Sequence, residues 1–204
     1  MKRLAVWLSL GAALACNGGE QGQLSPSGFL GAELPNPVPK PDFTFTDSKG
    51  KPFSLVTETE GKVTLLFFGY THCPDVCPVH LANIAAVLDK LSEEETRDIR
   101  VVFVTTDPER DSIAVLDRWV KGFNPAFIGL TGSDSLLAAA QGIVKLLPAI
   151  RDSVRDASGG YAVGHAATVI AYTRDGMGRV MYPFGTRQRD WAHDLPLLLA
   201  YGAK

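Results

Sequence analysis

Two of the three cysteines in this 204-residue chain stand four apart, in Cys73-Pro74-Asp75-Val76-Cys77-Pro78. If Cys73 lies at the head of a helix and Cys77 one turn in, both sulfurs share a face. A helix amino terminus carries about half a positive charge, which favours thiolate over thiol. Thiolate is the form that both disulfide exchange and soft-metal binding require. Pro78 fits early in a helix, where its missing N–H removes a donor that has no partner anyway. Asp75 opposes the trend, because a carboxylate near the sulfurs raises their pKa values. A structural disulfide stays open as an alternative, although a bridge across four residues closes a small loop and gains little entropically.

The elements around this pair can be read from periodicity. Residues 43–45 and 52–55 predict a hairpin about a turn containing Gly50. The run 63–69 predicts a strand covered on both faces, followed by a helix over about 78–91. Further strands are expected at 101–105, 127–130, 167–172 and 179–183. Helices are expected at 113–121, from Ser133 or Asp134 to about 147, and at 191–201 with Pro196 as its weak point. This alternation argues for an α/β fold, a mixed sheet with helices on both faces and an N-terminal β-hairpin. Binding chemistry in such folds gathers at the carboxyl ends of strands, where the cysteine segment falls.

The amino terminus reads differently. Lys2 and Arg3, then the apolar run 4–14, then Ala13-Leu14-Ala15 have the order of an export signal over residues 1–15. Cys16 follows, and the arrangement resembles the lipobox of bacterial lipoproteins, which implies lipidation of Cys16. Acyl chains, worth about 0.8 kcal/mol per buried methylene, then hold the protein at a membrane. Residues 16–41, rich in Gly, Ser, Pro, Asn and Gln, read as a flexible tether, leaving 42–204 as the folded domain. With Cys16 lipidated, Cys73 and Cys77 answer only to each other, in an oxidising compartment where an idle pair closes unless a reductant or metal holds it open. The expected location is the extracytoplasmic, periplasmic side of a bacterial membrane. Beyond the signal no stretch approaches the ~20 apolar residues of a spanning helix. A net charge of −2 with scattered Lys and Arg excludes a nucleic-acid-binding field.

Three motifs in order extend the reading. Phe67-Phe-Gly-Tyr-Thr-His-Cys-Pro-Asp-Val-Cys-Pro78, Thr105-Thr-Asp-Pro-Glu-Arg-Asp111 and Val163-Gly-His165 together resemble the Sco/SenC family, membrane-tethered copper proteins of thioredoxin-like fold. The resemblance covers about residues 41–201. It implies copper, Cu(I) or Cu(II), held by Cys73, Cys77 and His165. It implies a role in assembling the dinuclear copper centre of cytochrome c oxidase, with the copper-receiving oxidase subunit as partner and a thioredoxin-like reductant as a further one. The chemistry agrees: two thiolates suit Cu(I), and an added imidazole makes a set that also accepts Cu(II). Gly164 departs from the pattern, since many members carry Asp there.

Other polar residues are assigned lesser parts. His72 is expected to point away from the sulfurs. His80 is read as an exposed helix residue that could supply a fourth ligand, Asp107 and Arg110 as a helix cap and a surface ion pair within reach of the site, and His193 as solvent-exposed. Two further functions compete with a metallochaperone that has no turnover of its own. One is a thiol-disulfide oxidoreductase with Cys73 as nucleophile and Cys77 as resolving thiol, reducing cysteines of the oxidase subunit or another exported client. The other is a peroxidase or redox sensor, disfavoured because no Arg and Thr arrangement evidently supports a peroxidatic cysteine. The distant histidine and the three-residue spacing favour the metal reading over the first.

Overall fold

All seven residues of 63–69 are buried. In the computed structural model, which describes residues 25–155, 157 and 159–202, they form β4 (Val63–Gly69) within an eight-stranded mixed sheet. On one side β4 pairs in parallel with β5 (Ile99–Thr105), and β5 with β6 (Ile128–Thr131). On the other it pairs antiparallel with β9 (Thr168–Tyr172), and β9 with β10 (Met177–Pro183). The expected hairpin, β2 (Thr44–Asp47) and β3 (Pro52–Ser54), joins the sheet along β6.

Side chains alternate across a strand, so Leu65 and Phe67 enter one core and Leu66 and Phe68 the other. The first core is covered by α2 (Val76–Leu88), α4 (Ile113–Lys121) and α6 (Gln188–Ala200), through residues such as Leu81, Leu116 and Trp191. The second is covered by α5 (Asp134–Ile143) and by Leu55 of the one-turn helix α1 (Leu55–Glu58). Helices therefore lie on both faces, as the alternating pattern predicts. A short α3 (Glu93–Arg97), closed by a capping box between Ser92 and Glu95, leads into β5. Pro196 remains inside α6, which begins before Trp191 because the Asp190 carboxylate accepts the Arg187 N–H at 2.9 Å.

The tether boundary needs correction. Residues 1–24, which include the signal segment and Cys16, lie outside the described residues, but from Ser25 onward the supposed tether is folded onto the domain. Phe29 is 1% exposed. The buried Asp194 carboxylate of α6 accepts the N–H groups of Leu30 at 3.0 Å and Gly31 at 2.9 Å, together with the Tyr182 hydroxyl at 2.9 Å. Next comes β1 (Ala32–Pro39), antiparallel to β10 at the sheet edge with a register shift between Glu33 and Val38. Alternating prolines that look like linker chemistry also suit an edge strand, where a missing N–H costs no ladder bond. Lys40 then buries its ammonium against the Thr59 carbonyl and the Thr59 and Thr64 hydroxyls at 2.6–3.1 Å, and burial lowers its pKa to about 8.

One small unit escapes periodicity altogether. β7 (Ile150–Arg151) and β8 (Val163–Gly164) pair only with each other. Strands of two residues carry too few positions to show a period of two.

Candidate metal centre

The end of β4 builds the cysteine side of the site. A Cβ on Gly69 would lie 2.5 Å from the Cys77 sulfur and 2.8 Å from the Phe103 ring, so only glycine lets α2 close on the strand end. The chain then turns, with the Cys73 N–H donating to the Tyr70 carbonyl at 3.1 Å. Asp75 caps α2 by accepting the Val76 N–H at 2.7 Å. Cys73 thus stands just before the helix rather than at its head, and Cys77 lies in its first turn. The Cys77 N–H, an otherwise unsatisfied helix-terminal donor, points to the Cys73 sulfur at 3.5 Å.

This arrangement separates the two thiols. A hydrogen bond from Cys77 is the main cause lowering Cys73 to about 4, against burial, with His165 and the backbone N–H groups of Cys77 and Asp75 assisting. Burial pushes Cys77 up, and the adjacent Cys73 sulfur adds to it. The arrangement favours thiolate at Cys73 and thiol at Cys77. The expectation that Asp75 raises the sulfurs is corrected for Cys73: its carboxylate is occupied with the helix cap, while its backbone N–H lowers Cys73. Both cysteines are free thiols.

His165 follows β8 and completes the group. Its Nε2 lies 3.5 Å from the Cys77 sulfur, and the two sulfurs and a ring nitrogen all fall within 4.8 Å of one another. Its Nδ1 lies 2.9 Å from the Phe68 carbonyl and 3.2 Å from that of Ala166. Carbonyls only accept, so Nδ1 donates there and Nε2 is the ring nitrogen that faces the sulfurs. This is the orientation device common behind metal-binding histidines. The Tyr70 ring stands edge-on to the imidazole at 5.6 Å.

The remaining polar residues divide. His72 does face away, onto the Thr71 hydroxyl at 3.1 Å. His80, expected to be exposed, is instead 1% exposed, edge-on to Phe67 at 5.1 Å and hydrogen-bonded to the Ala167 backbone, and burial lowers its pKa. It lies outside the ligand group. Asp107 is neither a helix cap nor half of a surface pair: Ser112 caps α4, and Asp107 is fully buried between the Arg110 guanidinium and the Tyr161 hydroxyl. His193 is exposed, as expected, with its Nδ1 2.7 Å from Asp194 Oδ1. Asp111, quoted within its motif but given no part, holds the cysteine loop down. Its carboxylate accepts the Thr71 N–H at 2.9 Å and the Thr71 and Thr105 hydroxyls at 2.6 Å. Its place two residues before the helical period resumes is the only signal sequence offers.

The SCO1/SenC family profile matches residues 32–200. The chain belongs to the SCO1/SenC family. It is 35% identical over 137 residues to the mitochondrial SCO2 homolog of Mus musculus, a match covering 67% of this chain and 52% of that protein. Across curated family relatives the matched share ranges from 28% to 67% of their length. Among solved SCO1/SenC structures, apo Sco1 from Thermus thermophilus superposes with a TM-score of 0.74 at 34% identity, covering 89% of this chain and 100% of that one. ScoI of Bradyrhizobium japonicum with copper bound gives 0.69 at 32% identity, covering 79% and 99%. The thioredoxin-like mixed sheet described above is the fold of this family.

Proposed function

We propose that the protein is a membrane-tethered copper chaperone that takes copper as cargo between Cys73, Cys77 and His165 and delivers it to, or helps assemble, the dinuclear copper centre of cytochrome c oxidase. The observation that carries this reading is the orientation of His165. An imidazole whose Nδ1 proton is committed to Phe68 and whose Nε2 faces a sulfur at 3.5 Å supplies the nitrogen donor that completes a metal set. Two sulfurs and one nitrogen fit the donor preferences of both copper states, and the copper-bound ScoI neighbour supports the choice of metal. The site favours thiolate at Cys73, which leaves the Cys77 proton as the main one that binding must displace.

The partner is the copper-receiving oxidase subunit. Among the described residues no helix is long and apolar enough to cross a membrane, and attachment on the extracytoplasmic side is assigned to lipid on Cys16. Eight residues separate Cys16 from Ser25, the first of the described residues. At about 3.5 Å per residue that link keeps the domain within roughly 30 Å of the anchor.

A second reading has its own observation. A thiolate at Cys73, 8% exposed, beside a fully buried thiol at Cys77 is the asymmetry of a dithiol reductant. Anaerobic copper titration of the reduced protein decides between them. One copper per chain, lost in the Cys73→Ser/Cys77→Ser variant and protecting both thiols from alkylation, is the expected result. Unchanged binding by the double variant, or equal alkylation with and without metal, would refute the chaperone reading.

A further inference from the structure

His165 is carried by an isolated element. β7 and β8 form a two-stranded ribbon whose only partners in strand pairing are each other, through Ile150 opposite Gly164 and Arg151 opposite Val163. Beyond them the Asp152 N–H donates to the Ala162 carbonyl at 2.8 Å. A ribbon of this size has no independent stability: Val163 packs into the core, but Ile150 on the outgoing arm is 74% exposed. Val163 in the core and the Phe68 carbonyl at 2.9 Å from His165 Nδ1 hold the returning arm; the outgoing arm needs an anchor of its own.

Both arms of the ribbon reach the same buried carboxylate. From the outgoing arm, Arg151 spreads over three acids: Nη1 and Nη2 hydrogen-bond Asp134 at the start of α5 at 3.3 and 2.7 Å, Nε lies 3.3 Å from Asp107 Oδ1 as an ion-pair contact without hydrogen-bond geometry, and Nη1 is 3.8 Å from Glu109. From the returning arm, the Tyr161 hydroxyl donates to Asp107 Oδ1 at 2.7 Å. Asp107 is fully buried and lies two residues beyond β5, at the same end of the parallel sheet that carries the cysteine loop. We infer that Arg151 is a positioning residue for the metal centre: its guanidinium clasps the β7–β8 ribbon to Asp107 and Asp134 and so holds His165 Nε2 over the Cys77 sulfur. Arg suits the task because one planar fork addresses carboxylates on two elements, which an ammonium cannot do. Arg151 touches no ligand atom, and its effect passes through Gly164 to the histidine.

The inference rests on the copper reading for its consequence but not for its structure, and the test keeps the two apart. Removing Arg151 leaves Asp107 paired with Arg110 and Tyr161, so Arg151→Ala keeps its buried carboxylate satisfied. In that variant amide exchange at Asp152 should rise about tenfold while exchange in β4 and β5 stays unchanged. Cu(II) affinity should fall about tenfold, the range seen when a support behind a ligand is lost, with Cu(I) affinity unaltered. Arg151→Lys should recover little, and Asp134→Asn should reproduce part of the effect with Arg151 in place. In a His165→Ala background, Arg151→Ala should change Cu(II) affinity less than about twofold, because the route through the histidine is already gone. Unchanged exchange at Asp152 overturns the clasp. Faster exchange with unchanged Cu(II) affinity overturns its positioning role, as do equal losses in both copper states. If the parent protein binds no copper at all, the copper reading fails, and exchange at Asp152 still decides the clasp.

Discussion

The two sides of the metal centre are built in opposite ways. The cysteine side is part of the core: Cys77 is fully buried on α2, Gly69 admits it to within contact of β4, and Asp111 pins the intervening loop through Thr71. The histidine side rides on a ribbon of two-residue strands, packed through Val163 alone and otherwise held by charged and phenolic groups and the Phe68 carbonyl. Packed cores tolerate little displacement, whereas partly exposed ion pairs are weak and easily exchanged. The contrast suits a carrier. A soft ion can be held by the fixed sulfurs alone, and the nitrogen can be offered or withdrawn at the cost of a small ribbon rather than of the fold.

The largest effect should come from the fixed side. Cys77→Ser removes a ligand that nothing else in the described site replaces, so copper binding in both oxidation states should be abolished, read by thiolate-to-copper absorption, while circular dichroism stays native. Retained stoichiometric binding would mean that the core-built side is not where the metal sits.

Gly69→Ala tests how rigid that side is. A methyl group 2.5 Å from the Cys77 sulfur and 2.8 Å from Phe103 must push α2 off the strand end, at an overpacking cost of about 1–3 kcal/mol, or roughly 3–10 °C in Tm for a domain of this size. Thermal unfolding checks it, and a variant as stable as the parent would show that the contact yields freely.

The proton balance gives a smaller, sharper difference. With Cys73 lowered to about 4 and Cys77 raised, thiolate absorbance should appear as pH rises through about 4, reach one thiolate per chain and stay level to pH 8. In the denatured chain both thiols should titrate near their ordinary value of 9.0. Copper binding at pH 7 should accordingly release about one proton, not two. Two protons released, measured in unbuffered solution, would place both sulfurs as thiols.

The smallest effect is expected beside the histidine. Gly164 is exposed, and a Cβ there meets nothing closer than the Ile150 carbonyl at 3.8 Å, so Gly164→Asp should change stability by less than about 0.5 kcal/mol. A large loss would mean that the ribbon is tighter than its two strand pairs imply.

Much of this was legible in sequence where the signal was periodic or dense. The run 63–69 is β4 to the residue, and 113–121 is α4, because apolar spacing there has no competing interpretation. Cys73, Cys77 and His165 were found through spacing and resemblance together, and the structure brings their ligand atoms into one group. What failed did so for identifiable reasons. Pro35, Pro37 and Pro39 read as linker chemistry in sequence, while the sheet edge that accepts them is made by β10, far along the chain. His80 looked exposed because polarity was taken for position, yet its helix face is set by Phe67 and Phe184. Arg151 carried no signal, since its partners Asp107 and Asp134 come from separate elements that only the folded chain brings together.

The central claim is that two core sulfurs and the ribbon-borne nitrogen hold one copper. X-ray absorption at the copper edge, on Cu(II)-loaded parent and His165→Ala proteins, tests it most directly. The account predicts two sulfur scatterers and an imidazole in the parent, with the sulfurs kept and the imidazole signature lost in the variant. An unchanged imidazole contribution after His165→Ala would contradict it, because the nitrogen on the metal would then come from elsewhere in the chain.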